Sequence, residues 1–220
     1  MRESLLAATA LGLVALFAAG RVDASDAQAI ADRVQARYDE TEDLAAGFSQ
    51  EMKIQAGGHV VRSKGRMFFR KPGRMRWEYE TPEPQTIVAD GEYLWIHQPE
   101  DEQVLRAPLE QAFQSQTPVS FLFGVARIGR DFEPKLLDEG DDGGIRLELH
   151  PKAEEGGALG LLILEVDPDS YDLRAAIVKD PLGNVTEVRL VDPRRNAGVD
   201  ESRFRFERPP GTDVIEAPGG

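Results

Sequence analysis

Seven residues, from Arg74 to Glu80, alternate strictly between charged and apolar side chains. Because successive side chains of a β-strand point to opposite faces, Met75, Trp77 and Tyr79 would share one face and the charged residues the other. Such a strand fits a sheet that packs one face on a core and leaves the other in water, as antiparallel sheets commonly do. The segment therefore predicts an antiparallel sheet as the framework of the fold.

Turn signals recur at short intervals along the chain. They include Pro72-Gly73, the strong hairpin signal Asp90-Gly91, and Pro-, Gly- or Asp-rich turns at 141–144, 168–172 and 180–184. The stretches between turns predict about eleven short strands. This hairpin spacing is typical of an antiparallel sheet curled into a barrel or a sandwich, so the predicted fold class is mainly β (α+β).

A helix is predicted to precede the sheet, over about Ala27 to Thr41. Ile30, Val34 and Tyr38 recur every fourth residue and form one apolar stripe. The charged residues of this segment, Arg37 among them, would face elsewhere. The helix therefore has one apolar side.

The middle of the chain interrupts the alternation. Thr117 can cap a short helix that begins at Pro118 and reaches Val125. A helix that is apolar nearly all round must lie against a large apolar surface. The apolar residues of this segment include Val119, Phe121, Leu122 and Phe123.

The amino terminus has the pattern of a secretory signal peptide. The apolar run from Leu5 to Ala19 is too short to span a bilayer, which needs roughly 20 residues. Val22 and Ala24 give the small-x-small pattern of a cleavage site. We therefore expect residues 1–24 to be removed and residues 25–220 to form a single domain with a loosely ordered tail from about Pro209. The alternative, an uncleaved anchor helix, is disfavoured because charged residues end the run early.

Composition narrows the range of functions. The chain has no cysteine, so that its stability must come from its core, and its net charge of −13 argues against nucleic acid as a partner. The three histidines are scattered, and no metal-ligand, nucleotide-binding or serine-hydrolase motif occurs. The sequence therefore predicts a protein that is not an enzyme and needs no cofactor or metal.

The strand before Pro72 brings a lysine into the apolar pattern. If Met67 and Phe69 join the inner face formed by the following strand, the same phase carries Lys71 inward at its rim. A lysine on an apolar face is costly unless it is paired or hydrogen-bonded. The alternative is that Lys71, at a turn, extends to water. Arg70 falls on the opposite face.

An ordered set of segments across the chain after the signal peptide resembles the periplasmic outer-membrane lipoprotein carrier protein LolA. No single segment is diagnostic, but their order together with the signal peptide is specific. The segments are Phe48-Ser49-Gln50, Gly65, Arg70-Lys71-Pro72-Gly73, Arg76-Trp77-Glu78-Tyr79, Pro82, Gln85, Asp90-Gly91, Leu94-Trp95, Gln103, Thr117-Pro118, Asn196, Val199-Asp200, Phe204-Arg205-Phe206 and Pro209-Pro210-Gly211.

The resemblance implies an incomplete, strongly curved antiparallel β-barrel closed by a lid of short helices plus the N-terminal helix. It also implies a latch, meaning a side chain that holds the lid closed. Family members commonly have an arginine directly before the proline, and this arginine donates hydrogen bonds to backbone carbonyls of the lid. Lys71 holds that position here, with Arg70 as second choice. The implied acyl-chain cavity is lined by Met52, Met67, Phe69, Met75, Trp77, Tyr79, Val119, Phe121, Leu122 and Phe123.

The implied function is that of a monomeric chaperone in the periplasm of a Gram-negative bacterium. It would receive lipoprotein cargo from an ATP-driven inner-membrane release complex and deliver it to an outer-membrane lipoprotein receptor. The alternative is a periplasmic lipid-sensing or regulatory module with the same barrel. Such a module would normally be joined to a second domain or membrane segment, and the sequence predicts neither.

Overall fold

The computed structural model describes residues 24–114, 127–138, 140, 143–152 and 160–217. Helix α1 is Ala24–Asp39, α2 is Leu109–Gln114 and α3 is Ile128–Asp131, with two 3-10 helices at Pro99–Asp101 and Glu201–Phe204. The strands are β1 Asp43–Ile54, β2 His59–Arg70, β3 Arg74–Thr81, β4 Gln85–Ala89, β5 Tyr93–Gln98, β6 Gln103–Pro108, β7 Phe132–Leu136, β8 Ile145–Pro151, β9 Leu161–Val166, β10 Leu173–Lys179, β11 Val185–Arg195 and β12 Asp213–Glu216.

One curled, unclosed sheet holds all twelve of these strands, in the order β12-β6-β5-β4-β3-β2-β1-β11-β10-β9-β8-β7. Neighbours pair antiparallel except β12 and β6, which are parallel. The long β1 joins the two halves because it pairs with β2 on one side and with β11 on the other. The mainly β fold and the incomplete barrel expected from the sequence are confirmed.

The end of the chain differs from expectation. The sequence predicts a loosely ordered tail from about Pro209, but Asp213–Glu216 forms β12 beside β6. Its backbone is tied at both ends, since Asp213 N donates to Glu102 O and Ala217 N to Arg106 O. A four-residue strand in a Pro- and Gly-rich context is too short for its period to be recognised from sequence.

The hairpin of β2 and β3 has the phase that the alternation predicts. Met67 pairs with Trp77 and Phe69 pairs with Met75, which places these side chains on one face. Gly65 lies at a register shift in this hairpin. A Cβ there would lie 1.9 Å from Glu78 O, so that the two strands approach more closely than any other residue allows.

Two apolar clusters cover the inner face of the sheet. The first lies on the β7–β10 half under α1 and comprises Ala27, Ala31, Val34, Ile128, Phe132, Leu147, Leu149, Leu162, Leu164, Val166, Ala176 and Val178. The second lies on the other half and comprises Ala46, Phe48, Met67, Phe69, Met75, Trp77, Ala89, Leu109 and Val188. None of the helices in the described ranges has the length and apolar character needed to cross a membrane.

Candidate functional site

A cavity of about 320 Å³ lies between α1 and the inner face of the sheet, where the two apolar clusters meet. This volume is at the lower end of the range for small-molecule pockets, roughly 300–1,000 Å³. Its wall is mostly apolar, and its charged members are Arg37 of α1, Asp172 of the β9–β10 turn and Arg195 of β11. The lining residues are Val34, Gln35, Arg37, Tyr38, Thr41, Leu44, Met67, Phe69, Ile128, Leu164, Tyr171, Asp172, Leu173, Leu190, Pro193 and Arg195.

Lys71 ties the end of α1 to the β2–β3 turn. Its Nζ donates to the backbone oxygens of Tyr38, at 2.5 Å, and Asp39, at 3.2 Å. The last carbonyls of a helix lack partners within the helix and carry partial negative charge, so an ammonium group is favourable there. Burial lowers the pKa of Lys71, and the charge of Asp39 partly opposes this effect. Lys71 is thus hydrogen-bonded at the rim of the inner face.

Two further side chains complete the end of α1. Thr41 Oγ1 donates to Arg37 O at 2.9 Å. Asn196 Nδ2 donates to Glu40 O at 3.1 Å, and its Oδ1 accepts from Glu42 N at 2.8 Å. The helix terminus is therefore fixed by side chains from the β2–β3 turn and from the segment after β11.

The turn between β9 and β10 also holds α1. Arg37 forms a two-pronged ion pair with Asp172, with Nε–Oδ1 and Nη2–Oδ2 distances of 2.6 and 2.7 Å. Arg33 Nη1 donates to Tyr171 OH at 2.7 Å, and Tyr171 has a left-handed backbone with φ of 60°. The hydrogen bond from Arg37 lowers the pKa of Asp172. Arg37 thus faces the cavity, contrary to the expectation that it faces away.

The predicted cavity residues do not all lie at this cavity. Met67 and Phe69 line the cavity, and Met75 and Trp77 are buried beside it in the second cluster. Tyr79 packs at the edge of that cluster, where its OH donates to Gln50 Oε1 at 3.1 Å and burial raises its pKa to about 12. Met52 lies in a separate cleft. The predicted lining residues Val119, Phe121, Leu122 and Phe123 lie outside the described residues.

The two latch candidates point in different directions. Lys71 reaches α1, whereas Arg70 lies on the outer face and its Nη1 donates to Val199 O at 2.7 Å. The structure therefore does not bring Arg70 to the helix. Cavity residues that the sequence does not predict include Asp172, in the turn between β9 and β10, and Leu190, in β11, and both lie far from α1 in sequence. The apolar stripe that includes Val34 and Tyr38 does predict which side of α1 lines the cavity.

The family follows from a comparison with known proteins. Residues 39–207 match the family model for "Outer membrane lipoprotein carrier protein LolA". The chain belongs to this LolA family. Among curated LolA relatives, an outer-membrane lipoprotein carrier protein of Dechloromonas aromatica is 33% identical over 215 residues, covering 97% of this chain and 96% of the relative. One from Halorhodospira halophila is 33% identical over 211 residues, covering 96% and 95%.

Solved structures agree with the LolA fold. An uncharacterized conserved protein from Thermus thermophilus superposes with a TM-score of 0.55 at 15% identity, covering 87% of this chain and 99% of that chain. MucB superposes with a TM-score of 0.50 at 15% identity, covering 83% of this chain and 63% of MucB. At this identity the likeness concerns the fold alone.

Proposed function

We propose that this LolA-family chain is a periplasmic carrier that shields the acyl chains of lipoproteins from water. The observation that carries the proposal is the apolar cavity under α1, which lies between two apolar clusters on the inner face. Relatives that match nearly the whole chain bear the name outer-membrane lipoprotein carrier protein. An apolar wall binds hydrocarbon without directional contacts, so that chains of different cargo proteins fit equally well.

The proposed binding site is larger than the closed cavity. Each methylene group of an acyl chain that leaves water contributes about 0.8 kcal/mol. Movement of α1 away from the sheet would expose the rest of both clusters to a ligand, including Met75 and Trp77 of the second. Lys71 would act as the latch in this movement, because its hydrogen bonds to α1 exist only while the helix is seated.

The direction of transport depends on partners. We propose an ATP-driven inner-membrane release complex as the donor of the cargo and an outer-membrane lipoprotein receptor as its acceptor, in a Gram-negative periplasm. The sequence contains no phosphate-binding loop, so the work of extracting a lipid anchor from a bilayer would fall to the donor. The proposed role of this chain is transport rather than catalysis.

A release assay with two neighbouring residues tests the proposal. Leu190 lines the cavity, whereas the adjacent Val191 is 45% exposed and lies on the other face of β11. Purified wild type and Val191→Glu should release lipoproteins from spheroplasts, and Leu190→Glu should not, because a carboxylate would enter the apolar wall.

Circular dichroism would establish that both variants fold. Absence of release by the wild type, relative to a sample without protein, would refute the carrier function. Binding of acyl chains without any release would favour the lipid-sensing alternative.

A further inference from the structure

The phenol of Tyr38 is a hydrogen-bond donor that has no partner among the described residues. Among the described residues, its hydroxyl is one of few buried side-chain polar atoms for which no hydrogen bond exists. The side chain lines the cavity, with its ring centroid 6.1 Å from that of Phe69 and 4.2 Å from Lys71 Nζ. By contrast, the hydroxyls of Tyr79 and Tyr171 are bonded to Gln50 and Arg33.

A lone hydroxyl in an apolar wall requires an explanation. Buried polar groups in folded proteins are nearly always hydrogen-bonded, because burial without a partner forfeits their bonds to water. Phenylalanine would fill the same space without that cost. Burial, with a smaller contribution from the charge of Asp39, raises the pKa of Tyr38. The hydroxyl therefore keeps its proton and can donate a hydrogen bond to an acceptor on a ligand.

The position of Tyr38 selects the kind of acceptor. Val34, Phe69 and Leu164 form the apolar part of the same cavity, and Arg37 with Thr41 lies on its polar side. An acyl chain in an ester or amide linkage matches this arrangement, because it consists of a long hydrocarbon with a single carbonyl oxygen at one end. Trp77 Nε1 is also buried without a partner among the described residues, but Trp77 is not part of the cavity wall.

We propose that the Tyr38 hydroxyl donates a hydrogen bond to the carbonyl oxygen at the head of a bound acyl chain. The inference rests on the proposed function, because it takes an acyl chain as the ligand of the cavity. It adds a determinant of position: the hydrocarbon fixes affinity, and Tyr38 fixes how deep the chain lies. Esters and amides both supply the required oxygen.

Displacement of the uncharged dye N-phenyl-1-naphthylamine from the purified protein tests the proposal. The competitors are methyl palmitate, N-methylpalmitamide and heptadecane, which differ in whether they carry a carbonyl and how it is linked. In Tyr38→Phe, the concentration of the ester, the amide or both that is needed to displace the dye should rise about 3- to 10-fold, which corresponds to the loss of one net hydrogen bond. Competition by heptadecane should be unchanged.

The control is Tyr93→Phe, because Tyr93 adjoins the inner-face residue Leu94 in β5 and stacks with Arg106 away from the cavity. It should behave as the wild type. An equal loss for heptadecane and the two carbonyl probes, or no loss for either carbonyl probe, would overturn the role of Tyr38 while leaving the carrier function intact. Failure of every probe to displace dye from the wild type would overturn both.

Thermal unfolding without ligand gives a second readout. Tyr38→Phe should melt at the same temperature as the wild type or higher, because it removes a buried donor that has no partner within the described part of the chain. A lower melting temperature would reveal a hydrogen bond within the protein and would refute the assignment to a ligand.

Discussion

Replacement of Lys71 by methionine tests the latch directly. The substitution keeps most of the unbranched stem but removes the ammonium group that donates to Tyr38 O and Asp39 O. The two carbonyls at the end of α1 then lose their side-chain donor, and the contact of Nζ with the Tyr38 ring is lost as well. We expect α1 to leave the sheet more often while the sheet itself stays folded.

Opposing contributions set the size of this effect. Hydrogen bonds from a charged donor contribute about 1.5–3 kcal/mol, and a partly exposed cation–π contact adds about 0.5–1 kcal/mol. Burial lowers the pKa of Lys71, so the cost of taking the ammonium from water cancels part of that gain. A net loss of about 1–2 kcal/mol follows, which corresponds to a roughly 5- to 30-fold rise in the open population of α1.

Hydrogen exchange resolved by segment measures this population. Amides of α1 should exchange roughly 5- to 30-fold faster in Lys71→Met, by the same conversion, and those of β8 and β9 should not change. Arg70→Met is the matched control, because the neighbouring side chain bonds Val199 O on the outer face. It should affect only the segment around Val199. Unchanged exchange in α1 of Lys71→Met would refute the latch.

Individual contacts supply three more tests. Lys71→Arg should slow exchange in α1, because the donors of a guanidinium are held in a planar fork and less side-chain entropy is lost for each hydrogen bond than with the flexible ammonium of lysine; faster exchange would contradict this. Gly65→Ala should strongly lower the denaturant midpoint, since its Cβ would meet Glu78 O at 1.9 Å; a wild-type midpoint would show that the strands can separate. Arg37 lowers the pKa of Asp172. The pair therefore adds to the free energy of unfolding above the ordinary pKa of an aspartate, about 3.9, and this stabilisation is lost as the pH falls below that value. Since the pair is partly exposed, Asp172→Asn should cost about 1 kcal/mol at neutral pH and little in strong acid; a cost independent of pH would contradict the pairing.

Local patterns in the sequence predict the local parts of the fold. Strict alternation predicts β3 and its inner face, and Asp90-Gly91 predicts the β4–β5 turn, where Asp90 Oδ1 accepts from two backbone amides. The pairing of β1 with β11 joins segments far apart in sequence, and no local pattern encodes it. The same limit hides the ion pair of Arg37 with Asp172, because a charged residue on a helix is usually exposed.

Helix α1 covers the cavity and is held on the sheet by small apolar side chains and a few polar contacts. Its buried apolar seam on the sheet consists of Ala27, Ala31 and Val34. Burial contributes about 0.8 kcal/mol for each alanine methyl, taken as one CH₂, and about 1.5–3 kcal/mol for the valine. These three side chains therefore hold α1 with about 3–5 kcal/mol, and the partly buried Ile30 and Tyr38 add to it.

A ligand can match that energy with little of its length. At about 0.8 kcal/mol for each buried methylene, roughly four to six methylene groups offset the seam, and the rest of an acyl chain contributes to net binding. We therefore propose that small residues in the seam, with Lys71 and Arg37 bonded to the β2–β3 turn and the β9–β10 turn, let a long hydrocarbon displace α1 and let the helix reseat when the hydrocarbon leaves.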